Sequence, residues 1–282
     1  MDYPSEECRN LLLQAEAYEE QADHYNAIKL YKRAIRLAPQ WLPPYERLCQ
    51  IYKKRREWKA VVHYNKKVVA LDPTRAQHWW DLGIGAAATG SRRLARRIWH
   101  KFGQNTGPAF GRKPLTIQLR HSGMYELVWA RPLDPARVVL ESIPHPDADR
   151  SFQDILLIDK DRVGTTIVGN RRLPIYPELD LLKRSHYHTW SCQLTGAGTE
   201  DVQLLENLCR EAALGFEVWS NARRSLRMIH HREYYAQHTH KSDYEDGVLV
   251  AMAGKREKNV VEVLRSWKII SLKEWHDLEQ HR

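Results

Sequence analysis

The sequence predicts a protein in two parts: an all-α array of helical hairpins over about residues 7–105, then an α+β domain over 115–282. That domain is expected to hold a mixed or antiparallel sheet, with a ferredoxin-like sandwich as one arrangement. Three observations carry the prediction. The first hundred or so residues superpose on themselves with a shift of 34. A stretch rich in Gly and Pro, "GQNTGPAFGRKP" at 103–114, follows and reads as a linker. Beyond it the period of 34 vanishes and apolar residues begin to alternate with period 2.

The shift of 34 holds at many places at once. "AIKLYKRAIRLAP" and "AVVHYNKKVVALDP" end in Pro39 and Pro73. Small residues recur at Ala15, Cys49 and Gly83, and large ones at Leu11, Tyr45 and Trp79. Tyr18 and Tyr52 align, with Ala86 in the third copy. Ala27, Val61 and Ala95 align as well, as do Tyr31, Asn65 and Trp99, and Ala34, Val68 and Phe102. An unrelated bundle would not keep so many places in one register. Small residues let the two helices of a hairpin approach, while the large ones fill the space between hairpins. A single copy cannot bury its apolar face, so three copies, at 8–41, 42–75 and 76–107, are close to a minimum.

The third copy carries Trp79, Leu82 and Gly83, and the first carries Ala27, Tyr31 and Pro39, at the spacings of the tetratricopeptide repeat. The first third of the chain therefore resembles that family. The resemblance implies that the first helix of each hairpin lines a concave groove that takes a protein or peptide partner. Its lining would include Leu12, Glu16, Glu46, Gln50, Trp80 and Ile84. Trp79 is then expected to pack, leaving Trp80 and Ile84 as an apolar step in a polar groove. One subclass grips a C-terminal carboxylate with Lys and Asn; those places hold Leu, Glu and Gln here, so no such clamp is expected.

Charge is unevenly spread. The net charge is +9, and residues 1–110 hold 19 Lys and Arg against 11 Asp and Glu, while the remainder is nearly balanced. Basic residues fall on the second helices, at Lys32 and Arg33, Lys66 and Lys67, and His100 and Lys101. Arg92, Arg93, Arg96 and Arg97 add a cluster on one side of a helix. This basic face supports a second reading, contact with nucleic-acid phosphates, beside the plainer one of a solvated surface.

Composition bounds the rest. The 43% apolar content belongs to a folded chain. No window has the length of uncharged apolar residues that a membrane span needs, and the first residues have no signal-peptide pattern, so a soluble cytoplasmic protein without a membrane partner is expected. Cys8, Cys49, Cys192 and Cys209 are far apart, which argues against a disulfide framework or a zinc knuckle.

In the second half, "LTIQLRH", "YELVWARPL", "RVVLESI", "DILLID" and "TTIVG" read as strands of a small, mostly antiparallel sheet over 115–170. A division near 170–185 is then expected. "HYHTWSCQL" reads as a strand and "GTEDVQLLENLCREAAL" as a helix opened by Thr199 and ended by Gly215; "DGVLVAMAG" and "KREKNVVEVLRSW" repeat that unit.

No phosphate loop, dinucleotide fingerprint, nucleophile elbow or zincin helix is present. His186 with His188, His230 with His231, and His238 with His240, joined by Asp243 or Glu245, form the best remaining constellation for a metal or a catalytic group. Asp147, Asp149, Asp154, Asp159 and Asp161 lack a calcium-loop order and read as turn residues. Trp219 with Arg223 and Arg224 could stack a base, or be a buried Trp beside a surface turn. The chain thus reads as a non-enzymatic adaptor or scaffold with no cofactor, metal or catalytic residue. The alternatives are a nucleic-acid-binding protein using the basic face, and an enzyme using the histidines.

Overall fold

The computed structural model describes residues 4–104, 113–121, 124–168, 171–220, 225–226 and 247–281. The chain divides into two compact units, Met1–Thr106 and Gly107–Arg282.

The first unit is three helical hairpins: α1 (Glu6–Glu20) with α2 (His24–Leu37), α3 (Leu42–Lys54) with α4 (Trp58–Leu71), and α5 (Ala76–Ala88) with α6 (Arg92–Lys101). Local chemistry sets several of their starts. The Ser5 hydroxyl accepts the Cys8 N–H and the Asp23 carboxylate accepts the Asn26 N–H, while a proline occupies the first turn of α3.

Burial follows the period of 34. Ala15, Cys49 and Gly83 are buried, as are Ala27, Val61 and Ala95, then Tyr31, Asn65 and Trp99. Asn65, polar where its counterparts are aromatic, is satisfied in place. Its Nδ2 donates to the Val61 carbonyl at 2.9 Å and its Oδ1 lies 2.7 Å from His78 Nδ1. In the third hairpin the Trp99 ring lies against the bare backbone of Gly83, where an added Cβ would come within 2.4 Å of Trp99 Cη2. Only glycine leaves room for that ring.

The second unit begins with β1 (Leu115–His121), β2 (Met124–Asp134), β3 (Arg137–Leu140), β4 (Ile155–Ile158), β5 (Gly164–Val168) and β6 (Arg171–Lys183). Strands β1, β2, β3, β4 and β6 pair in that order. β6 then returns to pair in parallel with β1, with Thr116 opposite Ile175 and Gln118 opposite Pro177. The result is a closed five-stranded barrel around Ile117, Leu119, Val128, Val138, Leu140 and Leu156. β5 extends from β6, with Val168 opposite Arg171 as expected for a hairpin; Gly169 and Asn170 lie outside the described residues.

After the barrel come β7 (His188–Thr195), α7 (Thr199–Glu211), β8 (Gly215–Val218), β9 (Ser225–Leu226, paired with β2), β10 (Val248–Gly254), α8 (Glu257–Ser271) and β11 (Glu274–Gln280). The sheet runs β11-β7-β10-β8, antiparallel throughout. Leu205 and Cys209 of α7 and Val260, Leu264 and Trp267 of α8 form one core with Trp190, Cys192, Val250 and Met252. Both helices therefore cover the same face. Over 115–183 the strand-rich half is thus a closed barrel rather than the ferredoxin-like sheet entertained from the sequence, and the helix-covered sheet is confined to β7, β8, β10 and β11. Closure of β1 on β6 is the physical reason, because it leaves no open sheet over 115–183 for helices to cover.

Two boundaries also differ from expectation. α7 is opened by Gly198, whose N–H is accepted by Asp201, and it ends at Glu211, well before Gly215 enters β8.

Candidate partner-binding surfaces of the helical array

The first helices of the hairpins are joined by charged pairs between repeats. Arg47 on α3 donates to Glu16 on α1 through Nε at 3.2 Å and through a terminal nitrogen at 2.9 Å. Lys53 on α3 lies 2.8 Å from Asp81 on α5, which also accepts from Gln77. Glu46 lies 3.5 Å from Arg75 and 3.4 Å from His78 Nε2. Behind them Glu19 accepts from the Tyr31 hydroxyl at 3.0 Å; burial, and then that carboxylate, push the phenol pKa up. The carboxylates of this surface are held by neighbours, and Lys53 is committed to Asp81.

The six expected groove residues differ in exposure. Gln50 is exposed, and Leu12, Glu16 and Glu46 are half-buried. Trp80 and Ile84 do not form the expected apolar step. Ile84 is fully buried, and the half-buried Trp80 ring lies 4.9 Å from Trp99 and 5.9 Å from Phe102. The cause is the run of small residues after Leu82. Val61 and Val62 of α4 come within van der Waals reach of the Gly85 position while Trp99 of α6 lies on Gly83, and Asp81 through Ala87 are all buried. Trp79 and Trp80 are therefore both packing residues. The Trp79 indole N–H donates to the Pro73 carbonyl at 2.9 Å, and the Lys101 ammonium stands 3.6 Å above its ring.

The basic pairs on the second helices are not equivalent. Arg33 lies 2.9 Å from Glu7, and the Tyr52 hydroxyl bonds Lys32 and raises its pKa. Lys66, Lys67, Arg92, Arg93, Arg96 and Arg97 are all exposed. Lys66, Arg92 and Arg93, with Ser91, line one shallow cavity of 470 Å³.

The chemistry anticipated in the second unit is mostly elsewhere or outside the described residues. His230, His231, His238, His240, Asp243, Glu245, Arg223 and Arg224 lie outside them, and His186 precedes β7 rather than sharing a strand face with His188. Among the described residues no group of three or more His, Cys, Asp or Glu could hold a metal. Asp154 accepts the Ser151 and Ser185 N–H groups, and Asp159 that of Lys160, as turn residues do.

Sequence reasoning missed a polar cluster that joins the barrel to the second sheet. Glu217 accepts the Ile143 N–H at 2.6 Å and buried Glu126 accepts that of His145 at 3.2 Å. The Trp219 indole donates to the Ile143 carbonyl at 3.2 Å, and its ring lies between those of His145 and His281, at 5.7 and 5.4 Å. Ser191 Oγ is 2.7 Å from His281 Nε2. Glu126 and Glu217 stand 91 positions apart, so no local spacing could have signalled the cluster.

No protein-family model matches the chain, and no curated protein matches it. The structural neighbours of the helical part are tetratricopeptide domains. One is the first such domain of Spaghetti (RPAP3), solved with the HSP90 peptide SRMEEVD. It is 15% identical, with a TM-score of 0.31, over 34% of this chain and 77% of that one. Another is the Sgt2 domain of Aspergillus fumigatus, 19% identical, with a TM-score of 0.31; the match covers 35% of this chain and 65% of that domain, just under two thirds. A hypothetical protein from Neisseria gonorrhoeae is similar over 58% of this chain and 92% of its own, at 10% identity and a TM-score of 0.26. Among the described residues no helix is long and apolar enough to cross a membrane.

Proposed function

We propose that this chain is a non-enzymatic adaptor whose helical array takes a protein or peptide partner along α1 and α3, the second unit serving a separate recognition or regulatory role. The observation that carries this reading is the ladder of contacts between repeats, the ion pairs Glu16–Arg47 and Lys53–Asp81 with His78 Nε2 3.4 Å from Glu46. It fixes the first helices of all three hairpins as one surface, and preorganisation of that kind lowers the ordering cost of binding. Leu12 and Gln50 remain accessible on it, and Leu13 is 63% exposed beside Leu12.

The same charges define the partner. Lys53, Arg47 and Arg75 are committed to carboxylates of the array, so none of them is free to grip a terminal carboxylate, and Glu16, Glu46 and Asp81 disfavour an acidic segment. The expected ligand is an internal, neutral or basic segment with apolar side chains. The peptide SRMEEVD, named for the RPAP3 domain, should not bind.

The test is capture from the native host with variants on each surface. Leu12→Glu with Gln50→Arg should remove the captured partner while the helical signal and melting temperature stay close to the parent's. Retention of every partner by that variant, or tight binding of SRMEEVD, would sink the reading.

A further inference from the structure

We infer that the exposed face formed by α4 and α6 is a second binding site, one that takes the phosphate backbone of a nucleic acid without reading its sequence. This site is separate from the surface on α1 and α3 and does not depend on it.

The inference starts from six cations that the fold leaves uncompensated. Among the described residues, no side chain of Lys66, Lys67, Arg92, Arg93, Arg96 or Arg97 makes a hydrogen bond or an ion pair. Several other surface cations of the same unit are paired, Arg33 with Glu7, Arg55 with Glu57 and Arg75 with Asp72, whereas on α4 and α6 the unpaired cations are gathered together. The difference has a source in the sequence, because neither α4, "WKAVVHYNKKVVAL", nor α6, "RRLARRIWHK", contains an acidic residue. Lys66 of α4 and the first turn of α6 line one shallow cavity.

A face needed only for solubility would not be built this way. Arg92 and Arg93 occupy the first turn of α6, the positive end of its dipole, where acidic residues are favoured. α1, α7 and α8 keep that preference, with Glu6 and Glu7, Glu200 and Asp201, and Glu257 in their first turns. Arg92 with Arg96, and Arg93 with Arg97, further stack like charges at i, i+4, and no side chain caps the helix. The isolated protein therefore carries an unfavourable concentration of positive charge that a polyanion would relieve. Such departures from local preference are expected where function overrides stability.

Guanidinium forks suit a strand of phosphates. Each Arg can present two parallel N–H groups to one phosphate, and pairs one helical turn apart can address successive phosphates along a strand. Trp79, Trp80 and Trp99 are all used in packing, so among the described residues of α5 and α6 no tryptophan is free to stack a base. Binding is accordingly backbone-only.

The experiment is a titration of the full chain with a labelled, mixed-sequence oligonucleotide across a range of salt. About six neutralised phosphates predict log K falling against log salt with a slope of about −4 to −5, from −0.7 to −0.9 for each phosphate. Combined Arg92→Gln, Arg93→Gln, Arg96→Gln and Arg97→Gln should flatten the slope to about −1 to −2. If that variant fails to fold, Lys66→Gln with Lys67→Gln on α4 decides the question, with an expected flattening of about 1.5. Arg33→Gln, at a cation already paired with Glu7, should change nothing. Arg92→Glu should weaken binding while leaving the melting temperature unchanged or raised, because it relieves the helix dipole. Absence of binding at low salt, a slope the variants do not move, or equal affinity for polyglutamate or for anionic lipid vesicles would each overturn the inference.

Discussion

Replacing Gly83 by alanine adds one methyl group where the structure has least room for it. The new Cβ would lie 2.4 Å from Trp99 Cη2, 2.6 Å from Cζ3 and 3.0 Å from Cζ2. Carbon atoms rest about 3.5 to 4 Å apart, so the ring would have to retreat by about 1 Å. Trp99 is 1% exposed, with the Trp80 ring 4.9 Å away, and has nowhere to go without displacing α6. Overpacking of this kind costs about 1 to 3 kcal/mol, against about 0.5 to 1 kcal/mol gained by replacing glycine within a helix. The net expectation is a loss of about 1 to 2 kcal/mol, or about 4 to 8 °C in melting temperature for each kcal/mol in a unit of this size. Leucine at the same place should cost more. Gly85→Ala is the internal comparison: its Cβ meets Val62 and Val61 methyl groups at 3.0 and 3.1 Å, which can shift, so its effect should be small. Trp99→Leu should relieve most of the Gly83→Ala penalty in a double-mutant cycle. The packing argument is refuted if Gly83→Ala melts at or above the parent, or if Gly85→Ala proves the more damaging.

Further expectations follow from single groups. Asn65→Ala removes a buried side chain that bonds Val61 and His78, and thermal melts should show a loss of about 1 to 3 kcal/mol. The Asn26 backbone N–H holds the Asp23 pKa below its usual value, and the Thr74 hydroxyl does the same for Asp72. Both carboxylates therefore contribute stability that is full above the ordinary Asp range near 3.8 and is lost as pH falls through their lowered values. Asp23→Asn should make acid unfolding of the array shallower at the low-pH end, measured by helical signal against pH. All four cysteines are buried, and burial pushes the thiols of Cys49, Cys192 and Cys209 up, the last two to about 12. A maleimide at neutral pH should therefore leave the native thiols almost unlabelled and react with all of them in denaturant. Trp267→Ala on α8 should cost about 3 to 5 kcal/mol, because its ring is fully buried and its N–H reaches the Asp201 carbonyl at 2.7 Å.

The helical part was legible because its determinants repeat. Places such as Ala15, Cys49 and Gly83 recur at 34, and each is buried in the structure. Trp80 and Ile84 were misread because the family groove map assigns a face, whereas exposure depends on how closely the neighbours approach. Gly83 and Gly85 let Trp99 of α6 and Val61 and Val62 of α4 approach α5 closely, and Ile84 between them is fully buried. In the second unit alternation located the strands, but barrel closure depends on Thr116 meeting Ile175, a pairing between distant segments with no local signature. The candidate sites divide in the same way. Lys66 and Arg33 look alike in sequence, and only the structure shows that Arg33 has Glu7 beside it. The carboxylates of α1, α3 and α5 gave no sign that they would join neighbouring repeats, because their partners lie about one repeat away.

The most direct test of the central claim, that the array is where a partner docks, is site-specific photo-crosslinking of the full chain in its native host. A photoreactive side chain at Gln50, exposed on α3, is compared with one at Ile269, 74% exposed on α8. The account predicts a discrete crosslinked partner at Gln50, lost when Leu12→Glu is added, and none at Ile269. A partner that crosslinks at Ile269 and not at Gln50 would contradict it.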